Sequence, residues 1–174
     1  MAALEIKNLS FSYPTQQDSE KALDNISLSI AEGEFVLVCG PSGCGKSTLL
    51  RQIKPSLRPH GRSSGSVMLN GRSVNELSFR EQTEQIGFVL QDQEMQLVTD
   101  KVWQELAFGL ESLGMENSKM RVRIAEIANY FGIQTYLDAS TAELSGGQKQ
   151  LICLAGIMAM QPELLLLDEP TSQL

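Results

Sequence analysis

The pattern of apolar and polar positions predicts strands in the first half of the chain. Ile26, Leu28 and Ile30 alternate with polar residues, which is typical of a half-exposed strand. Residues 35–39 form a continuous apolar run and predict a strand buried on both faces. Another short apolar run, at residues 86–90, predicts a further strand.

Turn-forming residues separate these strands. Residues 55–65 are rich in Pro, Gly, Ser and Arg and predict a loop. Val67 and Leu69 then lead into Asn70-Gly71, a dipeptide that strongly favours a tight hairpin turn. We therefore expect a β-hairpin directly after the loop.

Helical spacing characterises the second half of the chain. The candidate cap Thr99 precedes one amphipathic segment, and the candidate cap Ser118 precedes a second, which Gly132 is expected to end. Residues 146–160 predict a third helix, and residues 164–167 predict a strand buried on both sides. The first two helices are expected to form a small separate lobe. Their apolar positions are Val102, Leu106, Leu110 and Leu113, then Ile124, Ile127, Ala128 and Phe131.

Residues 40–47, Gly-Pro-Ser-Gly-Cys-Gly-Lys-Ser, fit the phosphate-loop pattern G-x-x-x-x-G-K-S/T between a predicted strand and a predicted helix. Glycines allow the backbone N–H groups to curl around phosphate oxygens, and the helix N-terminus adds positive charge. Lys46 is expected to neutralise the β- and γ-phosphates of a nucleotide, and the Ser47 hydroxyl to ligate Mg²⁺. The alternative is a glycine-rich strand-to-helix turn with a surface lysine, which the order of strand, loop and helix disfavours.

Two further motifs follow. Leu144-Ser145-Gly146-Gly147-Gln148 precedes a helix and can present backbone N–H groups and a hydroxyl to an anion. The strand at residues 164–167 ends in Asp168 and Glu169, which face different directions because side chains alternate along a strand. Asp168 is expected to hold Mg²⁺, and Glu169 to polarise the water that attacks the γ-phosphate. An acidic strand end that caps a helix is the alternative.

Three motifs occur in order along the chain: the phosphate loop, the second glycine motif, and residues 164–172, Leu-Leu-Leu-Leu-Asp-Glu-Pro-Thr-Ser. Through these motifs the chain resembles the ABC-type ATPases over essentially its whole length. The resemblance implies an α/β fold, with a P-loop NTPase core, an antiparallel β subdomain and an inserted helical subdomain. Residues 1–174 are expected to form a single ABC ATPase domain that is incomplete at its C-terminus. Within it, residues 1–90 would hold the β subdomain and P-loop core, 91–145 the Q-loop and helical subdomain, and 146–174 the signature helix and Walker B strand.

The resemblance also assigns roles. It implies that the signature Leu-Ser-Gly-Gly-Gln reaches the γ-phosphate held by the phosphate loop of a second ABC ATPase subunit, identical or paralogous. It implies further that Gln91 touches Mg²⁺ or the attacking water and that Tyr13 stacks on adenine. The expected catalytic residues are Glu169, Lys46 and Gln91. The expected nucleotide-binding residues are Tyr13, Gly40, Pro41, Ser42, Gly43, Cys44, Gly45, Lys46, Ser47 and Thr48. The expected signature residues are Ser145, Gly146, Gly147 and Gln148, and the expected metal ligands are Ser47, Gln91 and Asp168.

Residues 91–97 and 102–109 resemble the corresponding segments of energy-coupling-factor importers and related cobalt and nickel importers. This resemblance implies a pair of ATPases on an integral membrane subunit at the cytoplasmic face of the cell membrane. ATP hydrolysis would power import of a vitamin or a metal ion. Trp103 would either lie at that membrane-subunit interface or anchor the core of the helical lobe.

Composition narrows the function classes. The 21 acidic and 14 basic residues give a net charge of −7, so no nucleic-acid partner is expected. No segment reaches the roughly 20 apolar residues that cross a bilayer, so a soluble, cytoplasmic chain is expected. The cysteines, Cys39, Cys44 and Cys153, lack C-x-x-C spacing, which argues against a disulfide framework and a zinc site.

Some features depart from the family pattern. Leu151 stands where the family usually has Arg, and both the Asp expected after residues 172–174 and the switch histidine are missing, so a fragment is expected. A non-transport ABC ATPase for DNA repair or chromosome organisation is one alternative, but no sustained heptads separate the glycine motifs. A nucleotide-binding module without hydrolysis is another, and Glu169 argues against it.

Overall fold

An antiparallel sheet organises the first of two units into which the chain divides, Met1–Gln82 and Thr83–Leu174. The computed structural model describes residues 2–14 and 21–170. Strand β1 (Ala2–Ser12) is central and pairs with β2 (Leu23–Ala31) on one side and β3 (Arg62–Leu69) on the other. A short strand, β4 (Arg72–Ser73), pairs with β3 and completes the order β2-β1-β3-β4.

The alternation of apolar residues explains the core of the first unit. Leu4, Ile6 and Leu9 of β1 are at most 3% exposed, as are Val67 and Leu69 of β3. Helix α1 (Lys46–Ile53) adds a buried apolar face. The predicted strand at residues 26–30 is confirmed, and so is the hairpin, because Asn70 and Gly71 both have positive φ, 49° and 80°, as a tight primed turn requires.

The predicted loop at residues 55–65 is wrong over its last four residues. Residues 55–57 form a single 3-10 turn, but β3 begins at Arg62, and Arg62 and Ser63 pair with Ser12 and Phe11 of β1. Residues 62–65 are polar or glycine and are weak strand formers, yet β1 offers backbone partners to residues 62–64. Pairing with a neighbour overrides local propensity here.

The predicted buried strand at residues 35–39 is also wrong. These residues are not in a strand, and Phe35 and Leu37 are 85% and 74% exposed. No strand within residues 2–14 and 21–170 pairs with them. An apolar run favours burial, but a strand also needs a neighbour for its backbone N–H and C=O groups.

A parallel pair of strands organises the second unit. Strand β5 (Ile86–Val89), predicted from its apolar run, is buried throughout and pairs in parallel with β6 (Leu164–Leu167). Of the four leucines in β6, only Leu166 is buried. The prediction that this strand is buried on both sides is therefore wrong, because β6 has only β5 as a neighbour among the described residues.

Three helices pack around an apolar cluster in the second unit: α3 (Val102–Ser112), α4 (Asn117–Phe131) and α5 (Gly146–Ala159). The remaining helix, α2 (Phe79–Gln85), spans the division between the units. Fully buried members of the cluster include Val102, Leu106, Leu110, Ile124 and Ala155. The predicted helical periodicity is thus confirmed.

The predicted helix starts need correction, but the predicted stop does not. Thr99 does not cap α3; its hydroxyl and backbone N–H both donate to Glu105 in the first turn of that helix, at 2.9 Å and 3.0 Å. Ser118 lies inside α4 and donates to Glu116, which holds the cap position, at 2.7 Å. Gly132 ends α4 in the left-handed conformation, with φ of 66°.

Across residues 2–14 and 21–170, the helices are too short or too polar to span a lipid bilayer.

Candidate nucleotide-binding site

The phosphate loop lies directly before α1 in the first unit. Residues 40–44 are exposed, and the Cys44 N–H donates to the Pro41 carbonyl at 3.3 Å, which curls the loop. The Lys46 ammonium folds over the loop and donates to the carbonyls of Gly40 and Pro41 at 3.0 Å and 3.1 Å. The cation predicted to meet phosphate therefore rests on backbone oxygens of its own loop.

Gly45 is the position at which this loop cannot carry a side chain. It precedes the first turn of α1 with φ of 98°, a left-handed conformation that favours glycine. A Cβ atom there would lie 2.5 Å from the carbonyl oxygen of Ala22, and 3.2 Å from the side chain of Leu23. The first residue of β2 and the residue before it therefore exclude a side chain at position 45, which explains one glycine of the motif.

Tyr13, predicted to stack on adenine, is tied to the helix that follows the loop. Its hydroxyl and the Thr48 hydroxyl are 2.9 Å apart, and Thr48 is buried in the first turn of α1. The Phe11 ring meets the Tyr13 ring edge-on, with centroids 5.0 Å apart. These two contacts fix the half-buried Tyr13 ring beside α1, as a stacking platform requires. The stacking role itself stays a prediction.

The carboxyl ends of β5 and β6 bring Gln91 and Glu169 together in the second unit. The Gln91 side-chain amide donates to a Glu169 carboxylate oxygen at 2.8 Å. Asp168 is 2% exposed, and its N–H donates to the Val89 carbonyl at 3.0 Å, extending the parallel pairing by one residue. Glu169 is exposed, so the two carboxylates do point in different directions. Glu169 also has a positive φ of 49°.

The signature residues form the N-terminus of α5. Ser145 is the cap: its Oγ accepts from the Gln148 N–H at 3.3 Å, and its own N–H donates to the Gln148 side-chain oxygen at 2.8 Å. Gly146 and Gly147 occupy the first helical positions and are half-exposed. The serine and glycines predicted to meet a second subunit's nucleotide are therefore accessible and firmly placed.

Sequence reasoning missed two contacts of α5, one of which reaches the Q segment, residues 91–97. Lys149, in the first turn of α5, forms a 2.8 Å ion pair with Glu94 of that segment. The hydrogen bond from Lys149 lowers the pKa of the Glu94 carboxyl, and the lysine's charge lowers it further. Gln150 is buried and donates through its side-chain amide to the Pro170 carbonyl. No local pattern signals these contacts, since 55 positions separate Glu94 from Lys149.

The residues predicted to bind Mg²⁺ have suitable chemistry. The Ser47 hydroxyl, the Gln91 amide oxygen and the Asp168 carboxylate are oxygen donors, which Mg²⁺ prefers. Ser47 lies in the first unit, and the other two lie in the second. Among the described residues, no three His, Cys, Asp or Glu side chains converge on a possible metal. Mg²⁺ usually takes one or two carboxylates and completes its shell with phosphate oxygens and water, so its binding by these three residues stays a prediction.

Trp103 and Leu151 both contact the apolar cluster of the helical region. The Trp103 ring is half-buried, and the Arg121 guanidinium lies 6.0 Å from its centroid. These contacts support the core-anchor interpretation of Trp103, while an interface role stays a prediction. Leu151 packs partly against the cluster, so an apolar contact occupies the place where the family usually has an arginine.

The cysteines differ in their surroundings. Cys39 and Cys44 are exposed and Cys153 is buried, and none of the three is in a disulfide. Burial, reinforced by the nearby Glu105 charge, raises the pKa of the Cys153 thiol to about 12. Cys153 therefore behaves as a small core residue, and only the other two thiols are open to solvent.

Comparison with known proteins agrees with this geometry. Residues 23–172 match the sequence profile described as ABC transporter. The chain belongs to the ABC transporter family. It is 48% identical to a putative ABC transporter ATP-binding protein of Bacillus anthracis, an alignment that covers all of this chain and 31% of the relative. The chain thus spans about a third of the length of that relative.

Two further comparisons are closer in length. The chain is 35% identical to the energy-coupling factor transporter ATP-binding protein EcfA1 of Oenococcus oeni and covers 61% of it. CbiO1 from Clostridium perfringens, part of the ABC transporter complex CbiONQ, is 32% identical in sequence to this chain, and its structure matches with a TM-score of 0.83. That alignment covers 99% of this chain and 67% of CbiO1.

The ATP-binding cassette MJ0796, solved as a dimer in a post-hydrolysis state with ADP and Pi, is 30% identical with a TM-score of 0.81. The alignment covers 98% of this chain and 75% of MJ0796. The predicted fold, an ABC-type P-loop NTPase with an antiparallel sheet and helices, is confirmed. The division into segments 1–90, 91–145 and 146–174 and the individual site roles stay predictions.

Proposed function

We propose that this chain binds and hydrolyses ATP as part of an ABC importer subunit. The observation that carries the proposal is the 2.8 Å hydrogen bond between Gln91 and Glu169 at the carboxyl ends of β5 and β6. Such strand ends are where α/β proteins place ligands. An exposed carboxylate held by an amide can orient a water molecule, whereas a surface acid that only caps a helix needs no such partner.

The phosphate loop supplies the binding part of the mechanism. When ATP enters, the Lys46 ammonium exchanges the Gly40 and Pro41 carbonyls for β- and γ-phosphate oxygens, which are better partners because they carry charge. The loop amides and the N-terminus of α1 hold the remaining phosphate oxygens. Ser47, Asp168 and Gln91 would be the protein ligands of Mg²⁺, which when bound would supply positive charge to the phosphates.

Glu169 supplies the chemical part. One carboxylate oxygen accepts the Gln91 amide, which leaves the other oxygen to accept a proton from the attacking water. The water oxygen forms a bond to the γ-phosphorus as the bond to the β–γ bridging oxygen breaks, so ADP and inorganic phosphate leave. Ser145, Gly146 and Gly147 of a second ATPase subunit, identical or paralogous, would close over the γ-phosphate.

The importer assignment rests on resemblance. EcfA1 and CbiO1 are named as parts of an energy-coupling factor transporter and of an ABC transporter complex, and this chain is 35% and 32% identical to them. By analogy, the full-length protein would bind an integral membrane subunit at the cytoplasmic face of the cell membrane and power import of a vitamin or metal ion. Purification from membranes, followed by identification of the integral subunit that accompanies it, tests this assignment.

The ATPase assignment has a direct test on the full-length protein. Glu169→Gln removes the proton acceptor and keeps the size of the side chain, so we expect the steady-state ATPase rate to fall about 100-fold or more. Glu126→Gln, at an exposed residue of α4 that pairs only with Arg123 among the described contacts, is the matched control and should retain the rate. Equal rates for the Glu169→Gln and unmodified proteins would remove the hydrolase assignment.

A further inference from the structure

The side-chain contacts around the Q segment join the parts of the second unit that carry the predicted chemistry into a closed ring. The Q segment contacts Glu169 at its start and α5 at Glu94. The next residue of α5 contacts the residue that follows Glu169. At most a few covalently bonded residues separate each contact from the next, so the contacts form a continuous path. The members of this contact ring are Gln91, Glu94, Lys149, Gln150, Glu169 and Pro170.

The Q segment is a stiff member of the ring. The buried Gln93 side chain donates to the Gln91 carbonyl at 3.0 Å, and the Gln96 side-chain oxygen accepts from the Leu90 N–H at 2.8 Å. These bonds clamp residues 91–97 onto the end of β5. Glu94 therefore cannot shift far without moving Gln91, which holds Glu169.

On the α5 side of the ring, a single helical turn separates Lys149 from Ser145. The Lys149 N–H donates to the Ser145 carbonyl at 2.8 Å in the first helical turn, and Ser145 is the cap of that helix. The Lys149 side chain is only 17% exposed, although its partner Glu94 is 77% exposed. The lysine is thus held along the protein surface with its charge directed at Glu94.

We propose that Glu94 and Lys149 are positioning residues, whose ion pair holds the signature serine, Ser145, in register with Gln91 and Glu169. This inference rests on the proposed function, in which Ser145 serves the nucleotide of the opposing subunit while Gln91 and Glu169 serve their own. The pair therefore links the two nucleotide sites of a dimer through a single subunit.

An ordinary surface ion pair would contribute little and affect nothing downstream. What distinguishes this pair is its place in the ring, since each partner is adjacent to a segment with a predicted chemical role. The Arg123–Glu126 pair of α4 is 3.5 Å long, and among the described hydrogen bonds Arg123 contacts α5 only at Ala159, at the opposite end of that helix from Ser145. It offers the internal comparison.

The kinetic test uses Lys149→Met, Lys149→Arg and the exchanged pair Glu94→Lys with Lys149→Glu in the full-length protein. We expect Lys149→Met to raise the KM for ATP about two- to five-fold, the scale of one ion pair, with a smaller change in kcat. Closure of Ser145 over ATP is weakened, but the chemistry at Glu169 is intact. Lys149→Arg and the exchanged pair should restore the KM, and Glu126→Gln should leave it unchanged.

Hydrogen exchange provides a readout that needs no turnover. Backbone amides at residues 91–97 and 145–149 should exchange faster in Lys149→Met than in the unmodified protein, and at the original rate in the exchanged pair. An unchanged KM in Lys149→Met would overturn the inference. So would a raised KM that neither Lys149→Arg nor the exchanged pair restores, or unchanged exchange at both segments.

The two proposals fail in different ways. If the unmodified full-length protein hydrolyses no ATP, the proposed function is wrong, and the exchange comparison still decides whether the pair positions Ser145. If the unmodified protein is active and Glu169→Gln is not, the hydrolase stands, and the Lys149 variants test the positioning role alone.

Discussion

At the scale of single residues, the phosphate loop is defined more by what its backbone excludes than by what its side chains do. Gly45 combines a left-handed φ of 98° with a position where a Cβ would meet the Ala22 carbonyl oxygen at 2.5 Å. Both the conformation and the space therefore require glycine. The Lys46 side chain folds onto the loop, and it does so through backbone oxygens.

Alanine substitutions at two glycines separate the requirement for backbone conformation from the requirement for space. We expect Gly45→Ala to lower the free energy of unfolding by about 2–4 kcal/mol, because it adds a steric clash to the left-handed strain. Gly33→Ala, where φ is 73° and nothing lies within 4 Å of the added Cβ, should lose only about 1–2 kcal/mol. Urea unfolding of both variants measures the difference. Equal losses would show that the contact with Ala22 is relieved at little cost.

Single residues with a backbone role were predictable from the sequence, whereas contacts between distant residues were not. Glycine was expected where the backbone of the phosphate loop curls, and Gly45 does have a positive φ of 98°. The ion pair of Glu94 with Lys149 depends on how β5 and α5 are arranged, and no local pattern encodes that arrangement.

At the scale of elements, α2 shows how a helix start can be reinforced from outside. The Ser78 N–H donates to the Glu81 carboxylate at 2.8 Å, and the Glu81 N–H donates to the Ser78 hydroxyl at 3.2 Å, which is a reciprocal cap. Arg72 of β4 adds an ion pair to the same carboxylate. These contacts couple the hairpin to the helix.

This arrangement predicts a pH dependence. The hydrogen bond from Arg72, followed by the bonds from Ser78, lowers the pKa of the Glu81 carboxyl to about 2. Because the folded pKa lies below the unfolded value of about 4.3, the stabilisation is complete above that pH and is lost as the pH falls towards 2. NMR titration of the carboxyl carbon should show the low pKa, and Arg72→Met should raise it. An unchanged pKa in Arg72→Met would assign the shift to Ser78 instead.

Elements with an internal periodicity were predictable, and elements that depend on a neighbour were not. The amphipathic spacing of α3 and α4 is set within each helix, so the sequence suffices. Residues 35–39 and 62–65 had the opposite outcomes to those predicted, since an apolar run without a partner strand stays unpaired and a polar run beside β1 becomes a strand. Availability of a backbone partner decided both cases.

At the scale of the whole molecule, the proposed chemistry requires two copies or two paralogues. Ser145 is exposed at the N-terminus of α5, and its hydroxyl is the cap of that helix. The proposed dimer brings this end of one subunit to the nucleotide of the other.

We therefore expect full-length Glu169→Gln to form a dimer in Mg-ATP, because binding proceeds while hydrolysis does not. Adding Ser145→Arg should return it to a monomer, since the long cation would fill the space for the γ-phosphate. Gln104→Arg, which places the same charge at an exposed position of α3, is the control and should leave the dimer intact. Sedimentation velocity distinguishes the two species. A dimer that survives Ser145→Arg would contradict the proposed closure.

The uncovered apolar stretch at residues 35–38 has a practical consequence for producing this polypeptide. Phe35 and Leu37 are 85% and 74% exposed, and their backbone lacks a partner strand among the described residues. Such a stretch is a template for pairing with the same stretch of another copy. This polypeptide, when overproduced, should accumulate in inclusion bodies, and Leu37→Lys should improve its soluble yield.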